Sequence, residues 1–370
     1  MHDQNAAKLL AYVMSWQDYA DVSATLDPLQ LLADYKYDRY QQFGPGRRFI
    51  ESLALWIKQF DPQDRQSALD FVLHRLVYFS DEEMSHLVRT AYPDLIIQER
   101  LRMVAEEHDI APHRVGEISR HPRFTELRLK SLYLGLSDGA RTNELRRTSF
   151  GDIGNEQIWQ AYELGEGKAE DMISELRSSL CESELKLEVE HPRFNLVWLL
   201  DDFSGSGNTY IRYDSEKKAF KGKIKKIYER FSKGDLVDPQ HYEVYLLLYV
   251  ATRQAIDHIE YWSERFTSDN GYKPLQVRVL CPIEPEISLT KTRSPAIDAL
   301  LSHPDYTEAK AADKHFLVGG TNDPRLGFAG CALPVVLSHN TPNNSVYMLW
   351  GPEHYEFSGL FPRVSRHREF

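Results

Sequence analysis

Hydrophobic positions follow two regimes along the chain. In the first third they recur at helical spacing. In SALDFVLHRLVYFS, Leu69, Val72, Leu73, Leu76 and Val77 line one face and predict an amphipathic helix. SDEEMSHLVRTAY begins with Ser80 and Glu83 in capping-box register, which predicts a helix start. Gly44-Pro45-Gly46 interrupts the pattern before them.

From about residue 116 short apolar runs alternate with helical stretches. The runs are SLYLGLS (131–137), NLVWLL (195–200), VYLLLYV (244–250), LQVRVL (275–280) and LPVVLS (333–338). A run apolar on both faces suits a strand buried within a parallel sheet. NEQIWQAYELGEGKAEDMISELRSSL and TRQAIDHIEYWSERF read as helices between them, the second with Ile256, Ile259, Trp262 and Phe266 on one side. The alternation predicts an α/β fold with a parallel sheet, preceded by a helical N-terminal region. The expected division is a helical region over 1–115, an α/β core over 116–350 and a tail over 351–370.

Composition narrows the class only modestly. Of 370 residues, 42% are hydrophobic and 27% charged, ordinary for a globular protein. The formal charge of −11 argues against broad, non-specific nucleic-acid binding while leaving room for a local basic site. The three cysteines, Cys181, Cys281 and Cys331, have neither metal-ligand spacing nor an even count for a disulfide framework. The opening residues lack a basic start with an apolar core, and no apolar run is long enough to span a bilayer. A cytoplasmic protein with no membrane partner is expected.

The candidate chemistry sits at LVWLLDDFSGSGNTY (196–210). An apolar run ends in two carboxylates, Asp201 and Asp202, followed by a loop of small residues, Ser204, Gly205, Ser206, Gly207, Asn208 and Thr209. A dinucleotide fingerprint would need glycine where Tyr210 stands, and a P-loop would need a lysine that is missing. Acids repel phosphate, whereas loop amides and hydroxyls cradle it. A ligand carrying a phosphate beside free hydroxyls satisfies both: Asp201 and Asp202 can accept from the hydroxyls, or act through Mg²⁺ bound directly or through water, which cancels the repulsion. In a straight strand the two acids face opposite ways, so both reach one ligand only if the strand ends there.

Two further loops follow apolar runs. Ser137-Asp138-Gly139-Ala140-Arg141 forms a tight bend before a predicted helix, where Gly139 permits close approach of an anion and Arg141 offers a fork of donors. SHNTPNNSVYMLW offers His339, Asn340, Asn343 and Asn344 as a base or acceptor site, with Trp350 as a stacking face. The basic stretch Lys217–Lys233 reads mainly as a solvated helix with Phe220, Ile224 and Ile227 inward. Lys221 and Lys223, flanking Gly222, are the lysines to test. Through this stretch a nucleic-acid partner remains open.

The pattern at 196–210 resembles the 5-phosphoribosyl 1-pyrophosphate (PRPP) motif of phosphoribosyltransferases. Asp201 and Asp202 match its paired acids, Ser206 and Gly207 its usual Thr-Gly, and Thr209 its closing threonine; Asn208 departs from the common glycine. LGLSDGAR, DDFSGSGNT, FKGKI and HNTPNN…LW together resemble the phosphoribosyltransferase-like effectors of bacterial conflict systems, some of which accompany retron-type reverse transcriptases in anti-phage loci. The resemblance implies a phosphoribosyltransferase-like α/β core. It also implies a PRPP or nucleotide ligand with Mg²⁺, and a protein partner in a defence complex. The loop Ser204–Thr209 then holds the 5′-phosphate, Asp201 and Asp202 the ribose, and Ser137, Asp138, Gly139 and Arg141 the pyrophosphate. Chemistry would take place at ribose C1′, as transfer or hydrolysis. The alternative is a non-catalytic nucleotide-sensing or partner-docking subunit. YIRYDSEKK delays the helix that ordinary salvage enzymes start at this loop, which weakens any helix-dipole contribution.

Overall fold

The computed structural model describes residues 3–17, 19–163, 165–238, 240–303, 316, 318–321, 323–351 and 358–363. The strands are β1 (Val77–Phe79), β2 (Ser131–Gly135), β3 (Ile158–Gln160), β4 (Leu196–Ser204), β5 (Arg212–Asp214), β6 (Ala219–Lys221), β7 (Glu243–Thr252), β8 (Leu275–Ile283) and β9 (Val335–Leu337). Two compact units form, one from residues 1–83 with 284–370 and one from 84–283.

The second unit is an α/β fold around a five-stranded sheet of order β3-β2-β4-β7-β8, with every neighbouring pair parallel. From β2 the chain first adds β3 on one side, then crosses to the other side for β4, β7 and β8. The order therefore reverses between β2 and β4, and open α/β sheets bind ligands beyond the carboxyl ends of the strands at such a point. Leu196 to Leu200 are all fully buried, which explains their unbroken apolarity. Each such side chain contributes about 1.5–3 kcal/mol. Val197 and Leu199 share a core cluster with Ile224, Ile227, Tyr228 and Ile259, while Trp198 stacks on Tyr245 at 4.4 Å.

The first unit is mostly helical, with a core of Leu53, Trp56, Ile57, Leu69, Phe71 and Phe361 among others. It holds a separate two-stranded parallel sheet of β1 and β9. Ser80 caps its helix as expected: Glu83 N donates to Ser80 Oγ at 3.1 Å, and Ser80 N donates to Glu83 Oε2 at 2.7 Å.

Three sequence expectations need correcting. The helix beginning at Arg65 stops at His74, because Val77 is drawn into a parallel pair with Val335, so Leu76 and Val77 leave the helical face. LPVVLS forms a strand, but in the small sheet of the first unit and not in the main sheet. The fifth main-sheet strand is β3, inside a stretch read as helical, whose helix runs only over Glu166–Glu182. The compact units part at 83/84 and 283/284, and the division expected at 115/116 and 350/351 is a separate reading that they do not decide. Residues from 284 onward pack with the N-terminal helices, as Leu300, Val336 and Phe361 do in that core. The expected tail over 351–370 lies largely outside the described residues.

Candidate functional site

The carboxyl ends of β2 and β4 bring together SDGAR and DDFSGSGNT. β4 does not end at the acids but pairs with β7 through Ser204. Alternation therefore separates the two carboxylates. Asp201 turns inward and is 2% exposed, whereas Asp202 is half-buried.

Asp201 is the hub of a polar cluster. Its Oδ1 accepts from Ser137 Oγ and from Asp202 N (3.2 Å). Its Oδ2 accepts from Tyr210 OH (2.8 Å) and from Lys223 Nζ (3.0 Å). Burial first, then the Asp202 charge, hold the Asp201 pKa above the ordinary carboxylate value, while Lys223 and Ser137 pull it down. Burial and the same acids push the Tyr210 hydroxyl far up, so it stays a neutral donor.

Asp202 lies over the other turn. A Cβ on Gly139 would be driven into the Asp202 carboxylate, so any larger residue would have to push that side chain aside. Ser137 is extended, Asp138–Ala140 make a single 3₁₀ turn, and Arg141 takes a left-handed conformation (φ 49°) before the helix Thr142–Thr148. Arg141 Nη1 donates to Glu144 Oε2 (3.1 Å) and Ser85 Oγ (3.3 Å). Tyr249 OH donates to Ala140 O (3.1 Å), and Tyr162 OH to Asp138 Oδ1 (2.7 Å).

Beyond β4 the chain turns through the predicted loop. Gly207 has φ 77°, and a Cβ there would stand 2.9 Å from Ala255 O and from His258 Cδ2. Thr252 Oγ1 both donates to Gly205 O (2.7 Å) and accepts from Ala255 N (3.0 Å), joining the loop to the start of the helix Arg253–Asn270. The amides of Ser206, Gly207, Asn208 and Thr209 donate to no acceptor among the described residues. Ser204, Gly205, Ser206 and Gly207 are buried, Asn208 half-buried and Thr209 exposed. Four consecutive uncommitted amides make an anion cradle.

The hairpin of β5 and β6 then intervenes, and the helix Lys223–Phe231 begins only after Gly222, the late start that the sequence implied. Its first residues fold back on the loop, with Lys223 N donating to Thr209 O (3.2 Å) and Ile224 N to Tyr210 O (3.0 Å).

A family model, PRTase-CE, matches residues 53–363. The chain belongs to the PRTase-CE family. No curated protein and no solved structure matches it. The family is phosphoribosyltransferase-like, and the parallel sheet is the core such a family requires. No helix among the described residues is long and apolar enough to cross a membrane.

The remaining expected residues of this PRTase-CE protein lie in the first unit or in the basic stretch. His339, Asn340, Asn343 and Asn344 belong to the first unit, whereas the acid pair and both loops belong to the second. Asn344 Nδ2 donates to Phe328 O (3.2 Å), Asn343 O accepts from Phe328 N (2.6 Å), and His339 O accepts from Gln42 Nε2 (2.8 Å). Trp350 Nε1 donates to Ser345 O (2.7 Å). In the basic stretch Lys221 pairs with Asp214 and holds its carboxyl down to about 2, and Lys225 pairs with Glu229 (3.5 Å). Lys217, Lys218, Lys226 and Lys233 are exposed.

Tyr210, Thr252, Tyr162 and His258 support the site without having been anticipated. Thr252 carried a signal, since a threonine between a buried run and a helical run is a natural N-cap. Tyr210 had none, because its partner Asp201 lies across a turn.

His258 makes the loop's setting pH-sensitive. Its Nε2 is 2.9 Å from Ile211 O, and burial depresses its pKa below the ordinary 6.5, against the pull of that bond. The unfolded chain therefore binds a proton more readily than the folded one. The associated stability is present above about pH 6.5 and is lost as pH falls through and below that value. Urea unfolding midpoints should decline from pH 7 to pH 5, and His258→Gln should flatten the decline. A decline unchanged in that variant would assign it to other groups.

Proposed function

We propose that this PRTase-CE protein binds PRPP or a related nucleotide between the carboxyl ends of β2 and β4 and acts at ribose C1′, as an effector of bacterial anti-phage defence. The run of four uncommitted amides from Ser206 to Thr209 carries the reading, because it offers a dianionic 5′-phosphate a ready set of donors beside a carboxylate. The phosphate sits on these amides. Asp202 accepts from the ribose hydroxyls and offsets the positive charge that grows on the sugar as the C1′–O bond to pyrophosphate breaks. The electron pair leaves with pyrophosphate, and an acceptor or water forms the new bond at C1′ and loses a proton to solvent. Gly139 leaves room for the leaving group, and Arg141, fixed through Glu144 and Ser85, closes the same turn. Mg²⁺ enters as the companion that a pyrophosphate ligand brings with it; Asp201, with its oxygens already committed, is not assigned to it. A nucleic-acid acceptor would meet Lys217, Lys218, Lys226 and Lys233, and a protein partner in a defence complex remains part of the proposal.

Calorimetric titration tests the ligand class. Ribose 5-phosphate should bind at least about 100-fold more tightly than ribose, about 2.7 kcal/mol. PRPP should release pyrophosphate on incubation. Equal affinity for ribose and ribose 5-phosphate would remove the phosphate cradle from the reading. Tight PRPP binding without release would make the protein a sensor.

A further inference from the structure

The sequence motif carries the expectation that both acids hold Mg²⁺, yet Asp201 is closed to such a contact. Four donors surround its carboxylate: Ser137 Oγ and Asp202 N on Oδ1, Tyr210 OH and Lys223 Nζ on Oδ2. Two carboxylate oxygens offer about four acceptor positions, so none is left over. Mg²⁺ requires an oxygen at about 2.0–2.1 Å in near-octahedral geometry, and here it would have to displace an ammonium group 3.0 Å from Oδ2. Among the described residues no three His, Cys, Asp or Glu side chains converge as a metal-binding group.

Lys223 is also fixed in place. It follows Gly222, whose φ of 122° sets the direction of the chain, and its own N–H is bonded to Thr209 O. Its ammonium lies 5.3 Å from the Tyr210 ring centroid, a cation–π contact on the face of the residue that also donates to Asp201. Loop, acid and lysine thus close one circuit: Asp201 to Tyr210, Tyr210 to Ile224, Lys223 back to Asp201 and to Thr209.

We infer that Lys223 is a built-in counter-cation that replaces a divalent metal at Asp201. Lys223 acts through Asp201 and is therefore a positioning residue. The metal half of the inference concerns the free protein; the ligand half rests on the proposed function. A ligand whose only anionic group is a 5-phosphate, with no pyrophosphate to bring a metal of its own, should bind equally well with or without Mg²⁺.

Two measurements separate these halves. Mn²⁺ titration of the free protein, followed by electron paramagnetic resonance, should show no uptake that depends on Asp201 in the wild type. Lys223→Ala should gain an Mn²⁺ site that Asp201→Asn added to it removes. Calorimetry of ribose 5-phosphate in Mg²⁺ and in EDTA should give wild-type affinities within about twofold, whereas Lys223→Ala should become Mg²⁺-dependent by about tenfold or more. Lys223→Arg, which keeps the charge, should restore indifference to metal. Mn²⁺ uptake by the wild type that Asp201→Asn abolishes would overturn the inference, as would a tenfold gain in wild-type ribose 5-phosphate affinity from Mg²⁺. Failure of ribose 5-phosphate to bind under either condition would overturn the proposed function and the ligand half with it, while the Mn²⁺ result would still decide the metal half.

Discussion

Asp201→Ala should destabilise the second unit by about 2–4 kcal/mol, whereas Asp202→Asn should leave stability within about 0.5 kcal/mol and weaken ligand binding by about tenfold or more. The two acids are adjacent in sequence but are opposites physically. Removing the Asp201 carboxylate strands the buried Tyr210 hydroxyl, deprives Ser137 Oγ of its acceptor and leaves the Lys223 ammonium unpaired. A buried pair broken from one side ordinarily costs about 3–5 kcal/mol. The lower range applies because the Lys223 side chain is 31% exposed and can turn to water, and Tyr210 OH already has a second acceptor in Phe203 O at 3.3 Å.

At Asp202 the balance reverses. Asparagine keeps the shape and removes the like charge that helps raise the Asp201 pKa, so repulsion within the pair falls. The ligand loses the Asp202 carboxylate charge, and binding should weaken by about tenfold or more. Urea unfolding and ribose 5-phosphate calorimetry on both variants decide the matter. Equal stability losses would mean that the two acids share one role, and the division argued from their partners would fall.

Much of this site was legible in the sequence because its signals are local. The run from Leu196 to Leu200 is apolar on every position, which only a strand covered on both faces requires, and the acids and the small-residue loop follow it directly. The SDGAR bend was readable for the same reason, since Gly139 and a helix start lie within a few residues. What escaped depends on distant parts of the chain. β3 is a three-residue edge strand, and Trp159 and Gln160 are half-buried, so neither an apolar run nor strict alternation marks it. LPVVLS has the composition of a main-sheet strand, and only its pairing with Val77–Phe79, more than 250 residues earlier, puts it elsewhere. The division at 83 and 284 has the same origin, because a core that includes Trp56 and Phe361 leaves no local mark at either crossing. Lys223 falls between the two cases. Its place beside Gly222 singled it out, but its partner Asp201, 22 residues upstream, becomes evident only once the β5–β6 hairpin returns the chain to the loop.

Gly222→Ala should be the most damaging of the glycine substitutions around the site, costing about 3–4 kcal/mol and ribose 5-phosphate binding together. Gly222 has φ 122° and ψ 179°, a region essentially restricted to glycine and worth about 1–3 kcal/mol to any other residue. Space adds to the strain. A Cβ there would press on the Tyr210 carbonyl group, with Tyr210 C at 2.7 Å and Ile211 Cα at 2.9 Å, and these are backbone atoms that cannot rotate aside. The resulting shift acts on the bond from Ile224 N to Tyr210 O, and through it on Tyr210 OH and Lys223, the two donors that share Asp201 Oδ2. Gly271 supplies the control. It has φ 66° at the end of the helix Arg253–Asn270 with nothing within 4 Å of its added Cβ, so Gly271→Ala should incur only left-handed strain, about 1 kcal/mol, and leave binding intact. If the two variants lose equal stability, the backbone contact at Tyr210 contributes nothing. If Gly222→Ala loses stability yet binds ribose 5-phosphate normally, the turn before Lys223 does not set the geometry of the phosphate loop, and the circuit joining Thr209, Lys223 and Asp201 is no part of the binding site.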